Sequence, residues 1–350
     1  MKASVVVANE DVRYMDIEEP QVGDCDVKVR VAMSGICGSD VPRVLNHGVH
    51  FYPIVLGHEF SGEVVEVGKN VTTVKPGDRV AGAPLLPCME CDDCQRGDYA
   101  LCKHYSFIGS RRQGSNADYV VIPERNAVVF DPSISYEQGA MFEPSTVALH
   151  GVLQNDYRAG GSVAILGGGT IGIFALQWAK LLGAKKVVVF DISDERLALA
   201  KRLGADGTIN TLQENFINEA KAFCGSGGFD YVFETAGVVP TMKMAFELAS
   251  NRAHVCFVGT PQKEMGFQPA EWENLNRKEM RVTGSWMSYS APFPGKEWRM
   301  TAEYYASGRL KFDEGLIGSR IPMSEAQAAF QMFKTPGVVK GKILLFNQLS

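Results

Sequence analysis

The sequence predicts an α/β chain of two domains, a largely β, partly antiparallel domain followed by a doubly wound parallel sheet. Three observations carry this. The chain has 350 residues, material for about two domains at ~150 residues each. Its first part holds β-branched runs cut by Gly and Pro (VKVRVAMSG, GEVVEVGKNV, GDRVAG, DYVVIP), the pattern of short strands joined by turns. Beyond Gly161, apolar runs (SVAIL, KVVVFD, YVFETAG, HVCFVG, VTGSW) alternate with helical patterns (IGIFALQWAKLL, DERLALAKRLG, TMKMAFELAS). That alternation calls for parallel strands linked by crossover helices. The expected division is 1–150 for the first domain, completed by 287–350, and 151–286 for the second. After Trp286 the pattern passes through SAPFPG into a tail ending in GKILLF, a run able to return to the first domain.

Composition narrows the class. At 45% hydrophobic and 21% charged, the residues suit a soluble globular chain with two cores. A net charge of −5 without any basic run argues against nucleic acid or an anionic membrane as partner. The opening MKASVVVANEDVRYMDIEEP has too short an apolar patch for a secretory leader, so a cytoplasmic setting is expected. The stretch from Ala159 to Ala179 carries no charge, but its glycines interrupt a spanning helix and favour strand–turn–helix. No repeat or low-complexity tract is present.

Taken in chain order, the polar signals begin with Cys37 in Gly35-Ile-Cys-Gly-Ser-Asp40. His58 and Glu59 follow in Gly57-His-Glu-Phe-Ser-Gly62. Alone, a cysteine is commonly a small apolar residue and a histidine a structural one. Next come Cys88, Cys91, Cys94 and Cys102, spaced C-x2-C-x2-C-x7-C. Thiolates at such spacing wrap one soft or borderline metal. The bacterial ferredoxin run has x3 before its last cysteine and a proline after it. Here the gap is seven and Lys103 follows, so structural zinc is the expectation over an iron–sulfur cluster or two disulfides. Glu143, in Met141-Phe-Glu-Pro144, precedes the second domain.

The strand SVAIL then runs into Gly167-Gly-Gly169-Thr170-Ile171-Gly172 and a helical pattern. A G-x-G-x-x-G between strand and helix is the Rossmann fingerprint. Gly167 suits the tight turn, Gly169 the close approach of a pyrophosphate, and Gly172 helix–strand packing. The N–H groups from Thr170 and Ile171 open a helix toward the phosphates. Asp191 ends the next strand, about 20 residues on, where a carboxylate accepts from ribose hydroxyls and repels a 2′-phosphate. NAD is therefore expected over NADP. The competing reading of Asp191 is the N-cap of the following helix, and Arg196 is the nearest candidate partner for a 2′-phosphate.

In this combination and order, G-I-C-G-S-D, G-H-E-x-x-G, the cysteine quartet and G-x-G-x-x-G resemble the zinc-containing medium-chain dehydrogenase/reductase family over essentially the whole chain. The resemblance implies a GroES-like catalytic domain beside the Rossmann domain, two Zn²⁺ per chain, and NAD. It implies a catalytic zinc on Cys37, His58 and Glu143 with Glu59 as alternate ligand, and a structural zinc on the four cysteines. A carboxylate at Glu143 is similar to the polyol dehydrogenase branch. Ser39 is implied as the first acceptor of the alcohol proton. Pro42 stands where many members carry a relay histidine, leaving His47, His50, ribose hydroxyls or water. A homodimer or homotetramer is also implied.

The segments NHGVHFYPIVLGHEFSG, PLLPCMECDDC, FIGSRRQG and GSWMSYSAPFPGKEW resemble members of that branch that oxidise a phosphorylated hexitol of the galactitol type to a ketose phosphate (tagatose 6-phosphate). Arg111 and Arg112 offer guanidiniums for a phosphate, with a subunit interface or a solvated loop as the alternative. His50, Trp286 and Tyr289 are further candidates for lining a sugar pocket. Competing readings are a dehydrogenase of free polyols, butane-2,3-diol or threonine, and an NAD-binding scaffold holding structural zinc alone.

Overall fold

The computed structural model describes residues 1–154, 156–261 and 263–347. The chain divides into two compact units. One comprises Met1–Glu143, Tyr289–Gly308 and the residues from Glu314; the other Pro144–Ser288 and Arg309–Asp313. The division therefore falls at Glu143/Pro144 and not at 150, because helix Phe142–Leu153 starts there and belongs, from Pro144 on, to the second unit. Arg309–Asp313 also joins the second unit, where Lys311 exchanges hydrogen bonds with Gln177 (3.2 and 2.8 Å).

The first unit is built on a seven-stranded sheet. Its spatial order is Ala127–Val129, Arg79–Gly82, Glu59–Val67, Asp26–Gly35, Lys342–Phe346, Ile317–Pro322, with Tyr119–Pro123 also paired to Asp26–Gly35. The apolar run KILLF does return here, antiparallel to Asp26–Gly35 with Leu344 opposite Gly35. Val27, Val29, Val31, Phe60, Val64 and Val80 fill one core. Ile36, Leu56, Phe330 and Leu345 belong to another, which ties the last strand to the N-terminal half. The registers set the site: Gly35 lies opposite Glu59, so the ends of two neighbouring strands bring Cys37 and His58 to one place.

The second unit has six parallel strands. In chain order they are Ser162–Leu166, Lys186–Asp191, Gly207–Asn210, Phe229–Glu234, Ala249–Phe257 and Arg281–Gly284. Their spatial order is third, second, first, fourth, fifth, sixth, that of a doubly wound dinucleotide fold, with ligand sites at the carboxyl ends of the strands. Val163, Ala164, Ile165 and Leu166 are buried, as expected where helices cover both faces. Fully buried Trp178 donates its indole N–H to Ser145 Oγ at 3.0 Å. No helix among the described residues is long and apolar enough to cross a membrane.

Candidate active site

In the first unit the Cys37 sulfur, a His58 ring nitrogen and a Glu59 carboxylate oxygen lie within 4.8 Å of one another. Cys37 follows the end of strand Asp26–Gly35, and Asp40 N–H donates to Cys37 O (3.0 Å), turning the loop. Gly35 leaves the room required: a Cβ there would stand 2.4 Å from Glu59 Oε2. His58 Nδ1 faces Asp40 Oδ2 at 3.4 Å, and Arg43 holds the other Asp40 oxygen at 2.8 Å. With Nδ1 toward a carboxylate, Nε2 is the nitrogen left for a metal, as in carboxylate–histidine–metal arrangements.

Burial alone would pull the His58 pKa down, but Asp40 and Cys37 outweigh it and hold it well above its usual value. Burial pushes Asp40 up, and His58 and Arg43 bring it below its ordinary range. Buried Lys342 donates to Glu59 Oε1 (2.7 Å) and lies 2.6 Å from Oε2. Oε2 nonetheless makes no hydrogen bond of good geometry among the described residues. A thiolate, an imidazole and a carboxylate so gathered fit Zn²⁺, matching its charge and leaving a coordination position open.

The carboxylate grouped with Cys37 and His58 within 4.8 Å is that of Glu59, the expected alternate. Glu143 is nearby. Burial pushes its pKa up to about 7, with Glu59 and Asp40 adding and His58 and Lys342 opposing. Two carboxylates, Glu59 and Glu143, thus share one buried neighbourhood.

The four sulfurs of Cys88, Cys91, Cys94 and Cys102 also lie within 4.8 Å of one another. Cys88 Sγ to Cys94 Sγ is 3.9 Å, close to the edge of a tetrahedron with metal–sulfur bonds of ~2.3 Å. The N–H groups of Cys88 and Cys91 donate to Cys102 Sγ (3.3 Å) and Cys88 Sγ (3.4 Å). The Cys94 backbone N–H leads in bringing the Cys91 thiol down to about 6, whereas burial pushes Cys94 up to about 12. Thiols so crowded fit a cation, and all eight cysteines are free of disulfides.

In the second unit the glycine loop follows Leu166. A Cβ at Gly172 would stand 1.8 Å from Gly167 O, so only glycine permits this approach of helix Thr170–Leu181 to the turn. A Cβ on Gly169 would meet nothing within 4 Å, which leaves the space a pyrophosphate needs above N–H groups that no side chain caps. Asp191 Oδ2 accepts from Gly168 N–H (2.6 Å) and Oδ1 from Ser193 N–H (2.9 Å). The N-cap of helix Asp194–Arg202 is Ser193, which disposes of the capping role for Asp191. Arg196 stands 3.7 Å from Asp191 Oδ2.

The substrate candidates separate. Arg111 lies over the Tyr105 ring at 4.6 Å. Burial lowers the His50 pKa, and the charges of Arg111 and Arg43 lower it further, which favours a neutral imidazole near these two guanidiniums. Arg112 lines a cavity of about 230 Å³ with Met1, Ile17 and Tyr119. Tyr289 is 4% exposed, its hydroxyl accepts from Leu85 N–H (2.9 Å), and its ring stacks on Phe293. It is a packing residue, since its polar end is already engaged, while Trp286 is exposed. Ser39 is exposed, with Oγ donating to Cys37 Sγ at 3.3 Å. Asp40, Arg43 and Lys342 escape a reading of the sequence. Asp40 and Lys342 lie inside the motifs GICGSD and GKILLF, but nothing local marks a charged residue as buried.

Residues 23–132 match the alcohol dehydrogenase GroES-like domain and residues 170–303 the zinc-binding dehydrogenase domain. The chain is 40% identical over 347 residues to galactitol 1-phosphate 5-dehydrogenase of Escherichia coli (strain K12), covering 99% of each protein. It is 34% identical over 325 residues to D-arabitol-phosphate dehydrogenase of Enterococcus avium, covering 92% of this chain and 90% of that protein. Its fold is similar to the crystal structure of galactitol-1-phosphate dehydrogenase from Escherichia coli, with a TM-score of 0.94 and 38% identity over 99% of this chain and 100% of that one. The motifs, the fold and these likenesses agree: the chain belongs to the zinc-dependent medium-chain dehydrogenase/reductase family and is an NAD-dependent alcohol oxidoreductase.

Proposed function

We propose that the enzyme oxidises a secondary alcohol of a phosphorylated sugar alcohol, of the galactitol 1-phosphate class, to the ketose phosphate. The observation that carries this reading is the pair of guanidiniums of Arg43 and Arg111 near His50, with Arg43 linked to the metal-ligand cluster through the Arg43–Asp40–His58 chain. Fixed guanidiniums beside such a cluster suit a substrate whose phosphate is a few carbons from the reacting hydroxyl. The Escherichia coli and Enterococcus avium relatives, whose names specify phosphorylated polyols, support the same reading.

When bound, zinc supplies Lewis acidity that lowers the pKa of an alcohol, and NAD accepts hydride. Cys37, His58 and a carboxylate from Glu59 or Glu143 would hold the metal. Asp40 fixes the His58 tautomer and ring orientation. Ser39, exposed beside Cys37, takes the alcohol proton first. Pro42 offers no onward acceptor, so exposed His47 and His50, or water, carry it outward. In the second unit Gly169, Thr170 and Ile171 hold the pyrophosphate and Asp191 the adenosine ribose. Homo-oligomerisation belongs to the same reading and is supported by edge strand Arg281–Gly284, where Val282 is 40% exposed. So does a reducing, cytoplasmic setting, supported by the eight free thiols.

Steady-state rates on galactitol 1-phosphate, sorbitol, butane-2,3-diol and threonine test the reading. Arg111→Ala should raise KM for the phosphorylated polyol about tenfold or more, the scale of a charge-assisted hydrogen bond of ~1.5–3 kcal/mol. Arg112→Ala should not. An equal effect of Arg111→Ala on phosphorylated and free polyols would point away from phosphate recognition.

A further inference from the structure

Glu234 is a buried carboxyl that the proposed mechanism leaves without a task. It closes strand Phe229–Glu234 and is 0% exposed. Its Oε1 accepts from the N–H groups of Ala236 (3.0 Å) and Gly237 (2.9 Å) and from the Thr241 hydroxyl (2.6 Å). Its Oε2 has no hydrogen-bond partner among the described residues. Burial pushes the carboxyl pKa up, and the three donors to Oε1 pull against it. A buried oxygen left without a partner carries a free-energy cost that an apolar side chain would avoid. What offsets it is the set of donors gathered on the other oxygen.

Those donors belong to a turn that touches two others. Thr235 N–H donates to Leu166 O (2.9 Å), and its hydroxyl lies 3.0 Å from both Leu166 O and Gly167 O, so residues 235–237 pack on the glycine turn. The Glu234 carbonyl accepts from the N–H groups of Val258 (2.9 Å) and Gly259 (3.0 Å), which follow strand Ala249–Phe257. A Cβ on Gly259 would stand 2.6 Å from Glu234 Oε2, and one on Gly237 would stand 2.7 Å from Thr260 O. The two turns therefore meet through glycines. Helix Val239–Leu248 receives no side-chain cap from Val238, and the Glu234 carboxyl stands at its first turn instead, where the helix dipole favours an acceptor.

Both turns lie at the carboxyl ends of the fourth and fifth strands of the parallel sheet. Asp191 ends the second strand, on the other side of the first. A dinucleotide with its pyrophosphate on the glycine loop and its adenosine at Asp191 has its remaining half over the fourth and fifth strands, at the point where the strand order reverses. We propose that Glu234 is a positioning residue for that half: its carboxyl locks residues 235–237 and 258–260 into the wall against which the nicotinamide riboside is held. This inference rests on the reading of the glycine loop and Asp191 as the pyrophosphate and adenosine sites.

The test compares two ligands on the full chain by calorimetric titration. One is NADH; the other is adenosine 5′-diphosphate, which lacks the nicotinamide half. In Glu234→Ala the dissociation constant for NADH should rise about tenfold or more, the scale of hydrogen bonds to a charged group. The affinity for adenosine 5′-diphosphate should not change. Glu234→Gln keeps an oxygen for the three donors and should bind NADH close to wild type. Thr241→Val removes one donor at constant shape and should weaken NADH by a smaller factor, again without effect on the diphosphate. Wild-type NADH affinity in Glu234→Ala would overturn the proposal. So would an equal loss of both ligands, the mark of a merely structural role. A Glu234→Gln variant as weak as Glu234→Ala would overturn it too, because the acceptor would not be what matters. Should Glu234→Ala fail to fold, Thr241→Val decides, and wild-type NADH affinity there refutes the proposal. Undiminished diphosphate binding in Asp191→Ala would refute instead the cofactor reading on which the inference rests.

Discussion

At the scale of single residues, the functional centre depends on charges that the fold has buried in pairs. Asp40 is the clearest case. It touches no expected ligand atom directly except through His58 Nδ1, yet it decides which ring nitrogen is free. Partners of metal-bound histidines are worth about 10- to 100-fold in metal affinity. Asp40→Asn should therefore weaken metal binding by about that factor in chelator competition, with NADH affinity unchanged, since the dinucleotide loop belongs to the other unit. Wild-type metal retention would show that Asp40 serves packing alone. Single residues are also where reading from sequence had its sharpest limits. Cys37, His58 and the four loop cysteines were identifiable because their side chains have few structural uses at such spacing. Lys342 was not: a lysine before an apolar strand is usually solvated, and only strand pairing places it against Glu59. Arg111 and Arg112 are adjacent in sequence, yet Arg111 lies over the Tyr105 ring and Arg112 lines the cavity with Met1 and Ile17, placements that no local pattern marks.

Secondary-structure elements were legible wherever one period dominated. SVAIL and KVVVFD are strands over those very residues, because fully buried parallel strands are continuous apolar runs. Strand Gly207–Asn210 went unseen; four residues, two of them polar in type, carry no period. The helix Phe142–Leu153 is not legible in the sequence because Pro144 in its first turn and Gly151 within it are residues that usually interrupt a helical pattern. At this scale the contact of helix Thr170–Leu181 with the preceding turn is the demanding one. Gly172→Ala would drive a methyl into Gly167 O, and overpacking of that kind costs ~1–3 kcal/mol. The variant should melt earlier and bind NADH more weakly in a fluorescence titration, with metal content unaltered. An NADH affinity equal to wild type would mean that the turn gives way without disturbing the phosphate site.

For the whole molecule, the important feature is the segregation of tasks. Both metal clusters lie in the unit built on the mixed sheet, and the glycine loop with Asp191 lies in the parallel-sheet unit, which has its own core. Loss of the loop metal should therefore act on one unit. Cys94→Ser is expected to hold one metal fewer per chain and to lower the first of two calorimetric transitions, while NADH binding persists. A single transition shifted as a whole, with NADH binding lost, would contradict independent cores. The order of assembly is set by the strand that begins at Lys342. A ribosome delivers the chain from its amino end, so all six parallel strands have emerged before this one, and the dinucleotide unit can mature on the nascent polypeptide. The mixed sheet cannot: its interior position beside Asp26–Gly35 stays vacant until Lys342–Phe346 has emerged. Cys37 and His58 thus wait for this neighbour until after the parallel-sheet strands have emerged, and the reactive centre closes when a partner for the hydride is already able to bind.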